Sequence, residues 1–305
     1  MVADNKNMRH LAKSERLSKC LEEFSRHCEF KGFSDETIIY YFKRIFKFLE
    51  FCQKLDVGKI KKEDIISWNL ELRKSGVKES YVINNLWALK AFNKFLTEEL
   101  KIGVDWFSDL KIPDRKFNDP IEFLENNEVK LFLEKIKPLE NICKLRLRVY
   151  IELMLNTGLR PSEALNLNRE EVIGEETEII GKGKKKRKVY FNERCLYWVE
   201  RYLARREDNF PALFISHHLD TDRWKLRRAE EAFRKHWLTT GINKIVSLHT
   251  LRHTYCTNLF QNGCQIEYAQ QLLGHSSPNT TRRHYLVIMQ KHAKKAHFKY
   301  LNYEN

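Results

Sequence analysis

The 305-residue sequence contains no apolar run approaching the roughly 18 residues that a membrane span requires. A membrane-spanning helix is therefore not expected. The opening MVADNKNMRH is polar and lacks the hydrophobic core of a secretory leader, so an unexported, cytoplasmic protein is expected. The seven cysteines (Cys20, Cys28, Cys52, Cys143, Cys195, Cys256 and Cys264) are odd in number, widely spread and free of any C-x-x-C pair. That pattern argues against a zinc site or a disulfide framework and for a reducing compartment. No internal repeat is found. Acidic residues are in deficit, with 41 Asp and Glu against 55 Lys and Arg, for a net charge of +14. The surplus points to a polyanionic partner, nucleic acid first and an anionic membrane surface second.

The length suits about two domains. After an N-terminal tail (1–13), amphipathic helices fill 14–110, beginning with Leu17, Leu21, Phe24 and Cys28 at helical spacing and halting at Gly32. Ser34 offers an N-cap for ETIIYYFKRIFKFLEFC, whose stripe of Ile38, Tyr41, Phe42, Ile45, Phe48, Leu49 and Cys52 leaves Lys and Arg on the far face. The stripe reads as core packing and the charged face as solvated. Two more helices are expected around EDIISWNLELRKSG and SYVINNLWALKAFNKFLTEEL, completing a small bundle. KIPDRKFNDP (111–120) has two prolines and no apolar period, which makes it an interdomain linker. A second domain, 121–288, resumes with helices through VKLFLEKI and KLRLRVYIELMLNTGL, the latter ending at Gly158. EIIGKGKKKRKVYF then has the layout of a β-hairpin with a basic tip. Everything beyond Leu196 is expected to be mainly helical, with a C-terminal tail at 289–305. The fold class is mainly α with a small β-hairpin (α+β).

The stretch SLHTLRH places His249 and His253 four positions apart, as in the zinc motif H-E-x-x-H. Thr250 stands where that motif needs its glutamate, and Arg252 would set a fixed positive charge beside any cation, so an anion is the better guest. Other stretches share the theme. NTGLRPSEALNL puts Arg160 just past a helix end, with Pro161 opening the next helix and Glu163 one turn on, able to orient the arginine. Lys182 sits between glycines, His275 follows Gly274, and Tyr285 comes after a polar stretch. Two arginines, a lysine, two histidines and a tyrosine can attack a phosphodiester without metal. Guanidinium groups suit the non-bridging oxygens, where negative charge builds up. A tyrosine phenol, with a reference pKa of about 10, needs a base within reach, and His249 is the nearest candidate. A hairpin lysine can protonate the leaving sugar oxygen. Lys182 is the one in the G-K-G frame, although Lys184, Lys185, Lys186 and Lys188 leave the choice open. His275 adds a donor to the phosphate, and the phosphotyrosine bond keeps the energy for religation.

These boxes resemble the tyrosine recombinase family of phage-integrase and Xer-like enzymes. GLRPSEAL is similar to the family's first arginine box, GKGKKKRKV to its hairpin lysine segment, HTLRHTYCTNLFQNG to its H-x-L-R-H box, and LLGHSS with Tyr285 to its final histidine and nucleophile. The helices from GFSDETIIYYFKRIFKFLEF onward resemble the core-binding domain that clasps DNA opposite the catalytic domain. The resemblance implies catalytic roles for Arg160, Lys182, His249, Arg252, His275 and Tyr285, supported by Glu163, with no cofactor and no metal. It also implies double-stranded DNA with specific core sites as partner, a homotetramer on two such sites, a 3′-phosphotyrosyl intermediate, a Holliday junction, and a tail that docks on the neighbouring protomer. From His275 to Tyr285 is ten positions, where many relatives have nine. Tyr268 is expected in the core. The rival readings are a type IB topoisomerase-like enzyme, a catalytically silent DNA-binding protein and a structural DNA-coating protein, the last of which would explain the charge but not the ordered boxes.

Overall fold

The computed structural model describes residues 15–54, 56–113, 121–137, 141–181, 185–216 and 221–274, together with His297. The chain divides into two compact units, Met1–Asn118 and Asp119–Asn305. The 1–13 tail, most of the expected linker and all of the expected 289–305 tail except His297 lie outside the described residues.

In the first unit the described helices are α1 (Glu15–Phe30), α2 (Asp35–Cys52), α3 (Lys62–Lys74) and α4 (Glu79–Glu98). Leu17, Leu21, Phe24 and Cys28 of α1 are all buried, as positions three and four apart must be when they share a helix face. The turn after α1 passes through Gly32 at φ +71°. Ser34 is the N-cap residue of α2, but its hydroxyl pairs with the Thr37 hydroxyl at 3.1 Å and caps no backbone N–H. The core is aromatic. Phe24 meets Phe92 edge-on at 5.1 Å, and Phe92 meets Trp106 at 5.9 Å, arrangements that add to plain area burial. Buried Asn93 donates to the Val104 carbonyl at 3.1 Å and accepts from the Trp106 N–H at 3.3 Å, which pins the segment after α4 to the bundle. The outer face of α2 carries exposed Lys43 and Lys47, with Arg44 stacked 3.3 Å over the Tyr40 ring.

The second unit is built around α6 (Ile142–Thr157), which follows α5 (Asn126–Lys135). Residues Leu145, Arg146 and Leu147 are buried, as are Val149 through Met154, so the helix is covered all round. Its buried Glu152 pairs with Arg148 at 2.8 Å and with Arg194 at 2.8 Å, as a buried charge requires. A short α7 (Pro161–Asn166) leads to the hairpin of β1 (Glu176–Ile180) and β2 (Lys186–Tyr190), antiparallel in a register running from Glu176 opposite Tyr190 to Ile180 opposite Lys186. Ile179 and Val189 face inward, whereas Lys186 and Lys188 face outward and pair with Glu178 and Glu176. The hairpin tip, 182–184, lies outside the described residues.

Beyond it come α8 (Glu193–Leu203), α9 (Leu226–Leu238), α10 (Leu248–Gln261) and α11 (Ile266–Leu273). Among the described residues beyond Leu196 the chain is helical over these four segments, whereas 239–247 and the described part of 204–225 are irregular. In the latter stretch Arg206 anchors the turn at Asp208, donating to the Asp208 carboxylate at 2.9 Å and to the Phe210 carbonyl at 2.9 Å. Tyr268 corrects the sequence reading. It is 59% exposed, because α11 turns Ala269 and Leu273 inward and Tyr268 lies about 100° round the helix from Ala269. Among the described residues no helix is long and apolar enough to cross a membrane.

Candidate active site

Helix α6 ends at Gly158, whose φ of +61° is the left-handed conformation that closes a helix. A Cβ there would stand 2.2 Å from the Tyr255 ring on α10, so glycine is required both for its backbone and for the close approach of that helix. One turn before Tyr255, Arg252 is 5% exposed and reaches across this junction. Its Nη1 donates to the Gly158 carbonyl at 2.6 Å and its Nη2 to the Leu273 carbonyl at 2.6 Å. These two carbonyls sit at the ends of α6 and α11, where the helices offer no partner of their own, so one guanidinium ties three helices together.

Two residues past Gly158, Arg160 is extended (φ −66°, ψ 149°), as a residue before proline must be, and Pro161 opens α7. Glu163 folds back from the first turn of α7. Its Oε2 accepts the Arg160 backbone N–H at 2.9 Å, and its Oε1 accepts Arg160 Nη1 at 2.6 Å. Arg160 also approaches the Gly274 carbonyl at 3.4 Å. Arg252 Nη1 stands 4.0 Å from Glu163 Oε2.

A third guanidinium completes the group. Arg187 reaches from β2 to place Nη2 2.6 Å from Glu163 Oε2 and Nη1 3.3 Å from Oε1. Sequence reasoning missed this residue, since within KKKRKV it looks like one more solvated cation. The signal was the strand period: Arg187 is two positions from Val189, and so shares its inward face, while Lys186 and Lys188 point out. Three guanidinium groups around one carboxylate leave a surplus of two positive charges.

The electrostatics follow. Burial alone would raise the Glu163 carboxyl, yet hydrogen bonds from Arg187 and Arg160 hold it at about 2. Burial, then the charge of Arg160, bring Arg252 down to about 10, so it stays charged at neutral pH. His249 sits one turn before Arg252 and reaches solvent. Partial burial, followed by the charges of Arg252 and Arg160 and opposed by Glu230, lowers its imidazole below the usual 6.5. It is therefore neutral and able to accept a proton at pH 7. Beside the cluster an open groove of about 1050 Å³ runs between β2 and α11, lined in part by Lys185, Lys186, Tyr190 and Tyr268. Among the described residues no group of three His, Cys, Asp or Glu could hold a metal ion. The arrangement is suited to an oxyanion, since a guanidinium has five N–H donors and Arg160 spends two on its protein partners among the described residues. The structure thus brings together Arg160, Glu163, Arg252 and His249. Lys182, His275 and Tyr285 lie outside the described residues.

The family model described as "Phage integrase family" matches residues 122–292, and that described as "Phage integrase, N-terminal SAM-like domain" matches residues 20–102. The chain belongs to the phage integrase family of tyrosine recombinases. It is similar to tyrosine recombinase XerA of Pyrococcus horikoshii, with 31% identity over 92% of this chain and 92% of the relative. Tyrosine recombinase XerC of Leptospira interrogans is 28% identical over 91% of this chain and 92% of its own. Among solved structures, XerH site-specific recombinase bound to palindromic difH substrate shares the fold, with a TM-score of 0.73 and 21% identity over 93% of this chain and 89% of that one. As a tyrosine recombinase the protein is a DNA-binding enzyme that breaks and rejoins DNA strands.

Proposed function

We propose that this recombinase cuts and rejoins DNA at specific sites with Tyr285 as nucleophile. The observation that carries the reading is the cluster of Arg160, Arg187 and Arg252 around Glu163, one helical turn from a neutral His249. Arg160 and Arg252 grip the non-bridging oxygens of the scissile phosphate, where charge increases in the transition state. The Tyr285 phenol loses its proton to His249 and attacks phosphorus, forming a 3′-phosphotyrosyl bond as the bond to the 5′-oxygen breaks. Lys182 donates a proton to that oxygen, which leaves as a 5′-hydroxyl, and His275 adds a hydrogen bond to the phosphate. The 5′-hydroxyl of a partner strand then reverses the step, with no cofactor consumed. Four protomers holding two matched sites would exchange strands in pairs through a Holliday junction, as in Xer-like or mobile-element recombinases. Residues 14–110 act as the core-binding domain and grip DNA with the basic face of α2, 111–120 serve as linker, 121–288 as catalytic domain, and 289–305 dock on the neighbouring protomer.

The test uses a nicked suicide substrate carrying a site recovered from DNA trapped on the protein. The wild type should form a covalent adduct in excess chelator, because arginines meet the charge that a cation would otherwise meet. Two copies of the site should give recombinant strands. Strict dependence on magnesium for cleavage would refute the guanidinium reading. Relaxation of supercoils without exchange between matched sites would favour the topoisomerase reading.

A further inference from the structure

We propose that Arg187 is a positioning residue for cleavage, fixing the chain at the two points from which Lys182 and His275 enter the site. The inference rests on the roles given above to those two residues and extends them to a third.

The Arg187 side chain is 9% exposed, and its guanidinium meets both oxygens of Glu163, at 2.6 and 3.3 Å. Two glycines lie against it. A Cβ on Gly181 would come within 2.7 Å of Arg187 Nη1, and one on Gly274 within 2.7 Å of Arg187 Cδ. Gly274 also needs its φ of +61°, as the residue that closes α11. At Gly181 no such backbone demand applies, so the absence of a side chain there serves the close approach of Arg187. Gly181 immediately precedes Lys182, and Gly274 immediately precedes His275. Consecutive Cα atoms are about 3.8 Å apart, so holding either glycine confines the residue after it to a shell of that radius. Glu163, the third body touching Arg187, orients Arg160. One buried guanidinium thus holds Glu163, Gly181 and Gly274 in fixed relation, and these adjoin in space or in sequence the residues proposed to act on the non-bridging and leaving oxygens. A lysine at 187 would keep the charge but would lack the planar fork that meets both carboxylate oxygens at once.

The experiment measures single-turnover cleavage of the suicide substrate with an ordinary 5′-oxygen and with a bridging 5′-sulfur, whose departure barely needs a proton. Arg187→Lys, which keeps the charge and should fold, and Arg187→Ala are compared with wild type. DNA affinity, measured by anisotropy, should stay near wild type. Cleavage of ordinary DNA should fall ~100-fold in Arg187→Ala, the scale of a lost general acid, and clearly less on sulfur. Arg187→Lys should show the same sulfur-specific recovery from a smaller loss. Gly181→Ala should slow ordinary cleavage in the wild type and add little in the Arg187→Ala background, because the clash partner is gone. Equal losses on the two substrates, no loss at all, or independent effects of Gly181→Ala and Arg187→Ala would overturn the proposal. If the wild type forms an adduct and the Arg187 variants match it, this inference alone fails. If the wild type forms none on either substrate, the cleavage chemistry fails and this inference with it.

Discussion

Replacing Glu163 by glutamine removes one negative charge from the centre of three positive ones while nearly preserving shape. In the wild type the carboxyl is held at about 2 against an ordinary 4.5. That difference corresponds to about 3 kcal/mol of folding stability. Breaking a buried ion pair by removing one partner costs about 3–5 kcal/mol, so the two routes to the magnitude agree. Because the folded-state value is the lower one, the contribution is complete above pH 4.5 and is lost as the pH falls through about 2. In calorimetry at pH 7, the transition of the second unit in Glu163→Gln should fall by roughly 6–12 °C, at 2–4 °C per kcal/mol for a domain of this size. The gap between wild type and variant should close as the pH is lowered from 4.5 towards 2, since protonation does to the wild type what the substitution did. An unchanged transition at pH 7, or a gap that persists at pH 2, would refute the reasoning.

The imidazole of His249 offers a second prediction: with its pKa lowered, the cleavage rate should rise with pH along a limb centred below 6.5 and level off by neutrality, and His249→Gln should abolish that limb. A limb centred above 6.5 in the wild type would contradict the assignment of His249 as base. Gly158→Ala should destabilise the second unit by more than the ~1–2 kcal/mol of a left-handed backbone alone, because its Cβ meets the Tyr255 ring at 2.2 Å. Tyr255→Ala should return part of that loss in the double variant, as urea unfolding would show.

The helices of the first unit were legible because a buried face recurs at helical spacing, as Leu17, Leu21, Phe24 and Cys28 do on α1. Arg160 and Glu163 were legible from local chain grammar, where a glycine ends one helix, a proline opens the next, and a carboxylate stands three residues on. Arg187 was not, because its role depends on a partner 24 residues away and its neighbours share its charge. Only the alternation set by Val189 distinguished it. Tyr268 was misplaced for a related reason: a helix of eight residues spans barely two turns, too few for the spacing of its apolar residues to show that Ala269 and Leu273 form its buried face. The turn at 206–210 escaped because side chains stabilise it, Arg206 and Asp208 foremost, with little of the backbone repetition that a sequence pattern reveals.

The central claim is that Tyr285 attacks the phosphate. The most direct test digests the trapped protein–DNA adduct with protease and nuclease and maps the modified peptide by mass spectrometry. The account predicts a nucleotide remnant on Tyr285, and no adduct from Tyr285→Phe although that variant still binds DNA. A remnant on Tyr268, Tyr300, Tyr303 or any other residue, or an adduct that survives Tyr285→Phe, would contradict it.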